Sequence, residues 1–111
     1  MTNPNIPKVV VNTQGKAVYF SRSSIPFLRN VAKENWLNNH TFYKHIGLYA
    51  YRIEVLKQLV ILPPTLNEKA ESLEQLRWID HGFEIQTGIT KYETIGIDTP
   101  EDILKIPKDW L

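Results

Sequence analysis

In the run "TIGIDTPEDILKI", residues 94–106, one carboxylate, Asp98, closes an apolar segment just before a helix start. Thr99 before Pro100 suits an N-cap, because the residue preceding a proline is driven to extended backbone and proline is favoured in the first helical turn. Asp102 can act as a capping-box-like partner and Glu101 complements the positive end of the helix dipole, which leaves Asp98 over. At a strand-to-helix junction, where open α/β sheets bind ligands, a carboxylate suits a hard cation such as magnesium. On spacing alone, capping the helix or fixing the turn is the stronger reading of Asp98.

Three other places could do chemistry. His45 and Tyr49 fall on one face of "YKHIGLYAYRI" with Gly47 between them, so the glycine could leave a gap for a ligand; an aromatic cluster over Gly47, with His45 hydrogen-bonded inside it, is at least as good a reading. Arg22 in "YFSRSSIP" ends a strand ahead of a proline turn, where a guanidinium could hold a ligand carboxylate in bidentate fashion, although most surface arginines do not. Glu74 and Gln75 in "ESLEQLR" lie off the apolar stripe of their helix, so a solvated face is their default.

The elements that must position these residues read as follows. "KVVVNTQGKAVYFS" predicts an antiparallel hairpin, residues 9–11 and 17–20 around a polar turn ending at Gly15. A turn at Pro26 follows, then a polar stretch, 31–42, suited to a surface excursion or short helix. "YKHIGLYAYRI" is the clearest strand, with Ile46, Leu48 and Ala50 on the core side and His45, Gly47, Tyr49 and Tyr51 opposite.

"IEVLKQLVIL" predicts a short amphipathic helix stopped by Pro63 and Pro64. A longer helix follows, with Thr65 as N-cap, Glu68 as its capping-box partner, a buried stripe of Leu66, Ala70, Leu73, Leu76 and Ile79, and Gly82 as terminator. "FEIQTG" and "YETIGI" read as strands and "PEDILKI" as a last helix. The alternation predicts an α/β class with the hairpin as an antiparallel addition, in one domain, 1–111.

With 42% hydrophobic and 23% charged residues the composition is that of a folded domain. A net charge of +1 with scattered Lys and Arg supplies no basic face, so the expected partners include neither nucleic acid nor an anionic membrane. The absence of cysteine excludes disulfides and thiolate metal sites. "MTNPNIPK" has no apolar stretch of signal-peptide length and no segment approaches the roughly 20 apolar residues of a membrane span, so a cytoplasmic protein is expected.

Four blocks, "KVVVNTQGKAVYFSRSSIP", "YKHIGLYAYR", "ESLEQLR" and "GIDTPEDI", in this order and spacing closely resemble the 3-deoxy-manno-octulosonate cytidylyltransferase family, the CMP-KDO synthetases. The resemblance implies a nucleotide-diphospho-sugar transferase (Rossmann-like) fold, a cytoplasmic homodimer, and transfer of CMP from CTP to the sugar acid KDO with Mg2+ and release of pyrophosphate, feeding lipopolysaccharide biosynthesis. It implies that Asp98 is a magnesium ligand and that Arg22, His45, Tyr49, Glu74 and Gln75 line the KDO pocket. KDO brings a carboxylate and several hydroxyls, which such a mixed set can meet.

The resemblance covers only the C-terminal half of the family's usual chain. The family's phosphate-holding loop, of the form P-A-R-x-x-S-x-R-L-P-G-K, has no counterpart in these residues, and "NTQGK" is a hairpin turn rather than a phosphate cradle. Asn67 stands where the family more often has leucine. The expectation is therefore a sugar-acid-binding and dimerisation part, lacking the N-terminal CTP-binding half and inactive alone, with a complementary N-terminal half as a possible partner. The alternatives are a cytidylyltransferase for another ulosonic acid such as sialic acid, and a non-catalytic interaction remnant of the fold.

Overall fold

The computed structural model of the protein describes residues 1–97 and 99–110. The magnesium ligand expected at Asp98 lies outside the described residues.

β1 (Lys8–Val11) and β2 (Ala17–Ser21) form the predicted antiparallel hairpin, with Val9 opposite Phe20 and an irregularity between Val10 and Val11. Asn12 makes the turn. Its side-chain oxygen accepts from the amides of Gln14 and Lys16 while Gly15, at φ 75°, takes the left-handed position open to glycine. β3 (Tyr43–Lys44) pairs antiparallel on the other side of β1, so the small sheet runs β2-β1-β3. Lys8 is buried at the sheet's end, its ammonium donating to the carbonyls of Asn3 and Arg22, and burial pulls its pKa below the usual lysine value.

Several expectations need correcting. The polar stretch after Pro26 forms a 3-10 turn, Lys33–Asn35, and one helical turn, α1 (Trp36–Asn39), but Trp36 is buried, its indole N–H donating to Val31 O between the rings of Phe27 and Phe42. The strand expected over 43–53 ends at Lys44. Beyond it Leu48 (87% exposed) and Ala50 lie outside the core, while His45 and Tyr49 on the opposite face are half-buried. The alternation is real, but among the described residues no neighbouring strand covers the apolar side. "FEIQTG" lies along the hairpin, with one β-bridge, Lys16 to Gln86, flanked by the amide of Ala17 donating to Ile85 O and that of Thr87 to Gly15 O, but neither it nor "YETIGI" forms a strand among the described residues.

α2 (Ile53–Leu59) ends ahead of Pro63 as expected and buries Leu59. The single helix predicted from Leu66 onward is two: α3 (Leu66–Glu71) and α4 (Gln75–Asp80), separated at Ser72, a serine in the left-handed conformation with φ 52° and ψ 49°. The break rotates the first half of the stripe outward. Leu66 is 85% exposed and Ala70 is exposed, whereas Leu73 and Leu76 join Val9 and Phe20 in the core, with Ile79 packed against them. Gly82, at φ 84°, follows the end of α4 as predicted. "PEDILKI" forms a 3-10 helix, Pro100–Lys105, rather than an α-helix, with the Thr99 amide and hydroxyl both donating to the Asp102 carboxylate.

The capping box at Thr65 and Glu68 is present, and the Glu68 carboxylate also receives a fork from Arg77 of α4, Nε at 2.7 Å and Nη2 at 2.5 Å. Arg77 holds the Glu68 carboxyl below its ordinary value of 4.5. A carboxyl whose folded pKa is depressed contributes stability above its unfolded pKa and loses it as pH falls through the folded one. Stability should therefore drop as pH falls below about 4.5, and Glu68→Gln should flatten that part of the profile, as measured by urea midpoints between pH 3 and pH 7.

Candidate functional site

A cleft of about 800 Å³ lies between the 43–52 segment and the returning chain at 83–93. The sheet fixes one wall: the β1–β3 pairing ends at Lys44, and the amide of His45 donates to Pro7 O, so the histidine leaves the sheet edge with its ring edge-on to Phe20 at 5.1 Å. Its Nε2 lies 2.7 Å from the Tyr49 hydroxyl. The two residues expected to act together are hydrogen-bonded to each other.

Burial lowers the His45 pKa and raises that of Tyr49, so both are neutral around pH 7. The pair is a neutral couple in which each group can donate or accept according to the histidine tautomer. A Cβ on Gly47 would meet only His45 Cε1, at 3.8 Å, while His45 is hydrogen-bonded within an aromatic cluster of Tyr49, Tyr51 and Trp78, the alternative reading of this face. Such a surface suits hydroxyl groups. A cation in the same cleft comes from Arg52 at its edge.

Arg22 is placed differently. Its Nε donates to Glu71 O at 2.6 Å, Nη1 to Pro4 O and Nη2 to Ser72 O, while its amide donates to the Glu71 carboxylate. Here the guanidinium fastens the end of β2 to the break between α3 and α4. Glu74 and Gln75 follow that break directly, so Arg22, Glu74 and Gln75 belong to one neighbourhood, but none of the three lines the cleft that holds His45 and Tyr49. Phe20 joins the two groups, being two residues before Arg22 and in contact with His45.

Glu74 is exposed and its charge, after burial, helps raise the Tyr51 pKa. Gln75 departs from the solvated default. It is 6% exposed and its Nε2 has no hydrogen-bond partner, a costly arrangement for a buried amide and one a ligand oxygen would relieve.

Spacing put Tyr51 on the face of His45 and Tyr49 without giving it a role, and did not single out Arg52 or Trp78. Trp78 stands three positions after Gln75, one helical turn along α4, which is the signal that could have placed it beside the site. Among the described residues no group of three or more His, Asp or Glu is arranged to hold a metal ion. No helix among them is long and apolar enough to cross a membrane.

The 3-deoxy-manno-octulosonate cytidylyltransferase of Cytophaga hutchinsonii is 59% identical over 105 residues, covering 94% of this chain and 42% of that protein. The same-named protein of Bacteroides thetaiotaomicron is 61% identical over 103 residues, covering 93% and 41%. The solved structure of CMP:2-keto-3-deoxy-manno-octonic acid synthetase complexed with CTP superposes with a TM-score of 0.82 at 43% identity, over 94% of this chain and 41% of that one. The chain thus spans about two-fifths of the length of the curated relatives it matches. Since the cytidylyltransferase family model also matches residues 1–92, taking in the hairpin, the His45–Tyr49 pair and both helices around Ser72, this chain belongs to the cytidylyltransferase family.

Proposed function

We propose that the chain is the sugar-acid-binding and dimerising part of a CMP-KDO synthetase with a nucleotide-diphospho-sugar transferase, Rossmann-like fold, acting in the cytoplasm as a homodimer in lipopolysaccharide biosynthesis. The observation that carries this reading is the neutral His45–Tyr49 pair facing an open cleft, in a chain 59% identical to a 3-deoxy-manno-octulosonate cytidylyltransferase over 94% of its length. His45 and Tyr49 meet sugar hydroxyls, and Gln75 Nε2 supplies a buried donor for a ligand oxygen. Arg22 and Glu74, on the α3–α4 side and outside the cleft of His45 and Tyr49, are assigned to the KDO pocket on the family likeness alone.

Asp98 contributes one oxygen ligand to magnesium, whose charge offsets that of the triphosphate and the sugar carboxylate. The substrates and the part of the family's fold that this chain does not span would supply the other ligands. That part also brings the CTP site.

The exposed apolar side of the 45–52 segment supports the same division, as does a radius of gyration of 16.0 Å, against about 13 Å for a compact chain of this length.

The test is pyrophosphate release from CTP, KDO and magnesium. The chain alone should release none. Release should appear when a polypeptide covering the remaining length of the Cytophaga relative is added, and should be abolished when the chain carries Asp98→Ala. In parallel, KDO at about 100 times its Kd should raise the chain's stability by about 2.7 kcal/mol, and sialic acid should not. Release by the chain alone would overturn the division of labour. Equal protection by both sugar acids, or by neither, would overturn the KDO assignment.

A further inference from the structure

The hydrogen bond between His45 and Tyr49 spans a stretch of chain with little backbone support. Across 45–51, the amides that donate to backbone among the described residues are those of His45, to Pro7 O, and Leu48, to Ile46 O. Leu48 and Ala50 are exposed, so packing on their side adds little. The opposite side rests on α4. Tyr49 and Tyr51 stack on one another with centroids 6.1 Å apart, and each meets the Trp78 ring in an edge arrangement, at 5.2 and 5.6 Å with interplanar angles of 89° and 85°. Edge-to-face pairs are directional, so one indole sets the orientation of both phenol rings.

The helix that carries Trp78 is firmly seated. Leu76 is fully buried in the core, and Arg77, the residue before Trp78, is forked onto Glu68 of α3. Trp78 therefore stands on the rigid side of the contact and the two tyrosines on the sparsely bonded side.

We propose that Trp78 is a positioning residue: through its edge contacts with Tyr49 and Tyr51 it holds the Tyr49 hydroxyl on His45 Nε2 and sets the face that the 45–52 segment turns to the cleft. The effect on sugar-acid binding rests on the function proposed above; the effect on the His45–Tyr49 bond does not.

The experiment uses the full chain, uniformly 15N-labelled, as wild type, Trp78→Phe and Trp78→Met, both replacements being large enough to keep α4 seated. The ring nitrogens of His45 report tautomer and hydrogen bonding directly, and KDO is titrated into each protein. Wild type should show one His45 tautomer. Trp78→Met should show ring nitrogens averaged between tautomers with the remaining spectrum intact, and KDO binding about tenfold weaker. Trp78→Phe, which keeps a ring edge, should retain the wild-type His45 signature and bind KDO within about threefold of wild type.

A change in overall stability alone would not move the His45 ring nitrogens in protein that remains folded. Wild-type His45 signals in Trp78→Met would overturn the proposal, as would their loss in folded Trp78→Phe. Should the wild-type chain not respond to KDO while Trp78→Met still loses the His45 signature, the sugar-acid reading falls and the positioning role stands.

Discussion

Replacing Leu76 by alanine should lower the unfolding free energy of this chain by about 3 kcal/mol, within the range for a fully buried leucine. Leu76 is 0% exposed and packs among Val9, Phe20 and Leu73, where the β1–β2 sheet meets α4. Only six apolar side chains are buried among the described residues, so little of the core remains to compensate. A single domain has about 5–15 kcal/mol in total. The loss is therefore a large fraction of the whole, and it should appear in urea unfolding followed by circular dichroism as a lower midpoint with an unchanged slope. A loss below about 1 kcal/mol would mean that the site collapses around the missing atoms and that the core is not centred here.

Glu71→Ala should cost about 2 kcal/mol although the residue is only half-buried, because what it leaves behind is unpaired polar surface. One carboxylate oxygen accepts from Ser21 Oγ at 2.6 Å and the other from the Arg22 amide at 2.9 Å. Ser21 is 3% exposed, so water cannot readily replace the lost acceptor. Glu71→Gln keeps one acceptor oxygen and should cost less than the alanine variant. Hydrogen exchange gives the decisive reading: the Arg22 amide should be protected in wild type and exchange rapidly in Glu71→Ala. Equal protection in the two proteins would show that Glu71 does not hold the end of β2.

Local signals were legible in the sequence. The hairpin depends on alternation and on a turn whose Asn12 and Gly15 satisfy their own backbone needs, and the start of α3 depends on Thr65 and Glu68, three residues apart. The failures share a non-local cause. Nothing in "AESLEQ" marks a break, since a serine in a helix is ordinary; Ser72 is left-handed where Glu71 and the carbonyls on either side of the break are engaged by β2, about fifty residues earlier. Likewise "YKHIGLYAYRI" carries a strand's alternation, but a strand also needs a neighbour, and past Lys44 the described residues supply none.

The candidate site was legible in part for the same reason. His45 and Tyr49 were placed on one face of a strand, where residues four apart would be about 13 Å from each other; their 2.7 Å hydrogen bond forms because the chain leaves the strand at Lys44, which the alternation did not show. Arg22 was correctly placed at a strand end, but its present partners, Pro4, Glu71 and Ser72, come from both directions along the chain. The burial of Gln75 came from the same break, which turns α4 so that its first residue faces inward.

The discontinuity at Ser72 also decides who owns two oxygen atoms. In an unbroken helix the carbonyls of Glu71 and Ser72 would be taken by the amides four residues ahead, those of Gln75 and Leu76. Here the Leu76 amide turns back to Leu73 O, and both oxygens go to the Arg22 guanidinium. The left-handed backbone at Ser72 turns the helical amides away from these oxygens and leaves them to the arginine, so the break in the helix and the anchor of the strand are built on the same two carbonyls. The end of β2, α3 and α4 should therefore open together as one cooperative unit, because the Arg22 guanidinium ties the strand to the break where the two helices meet.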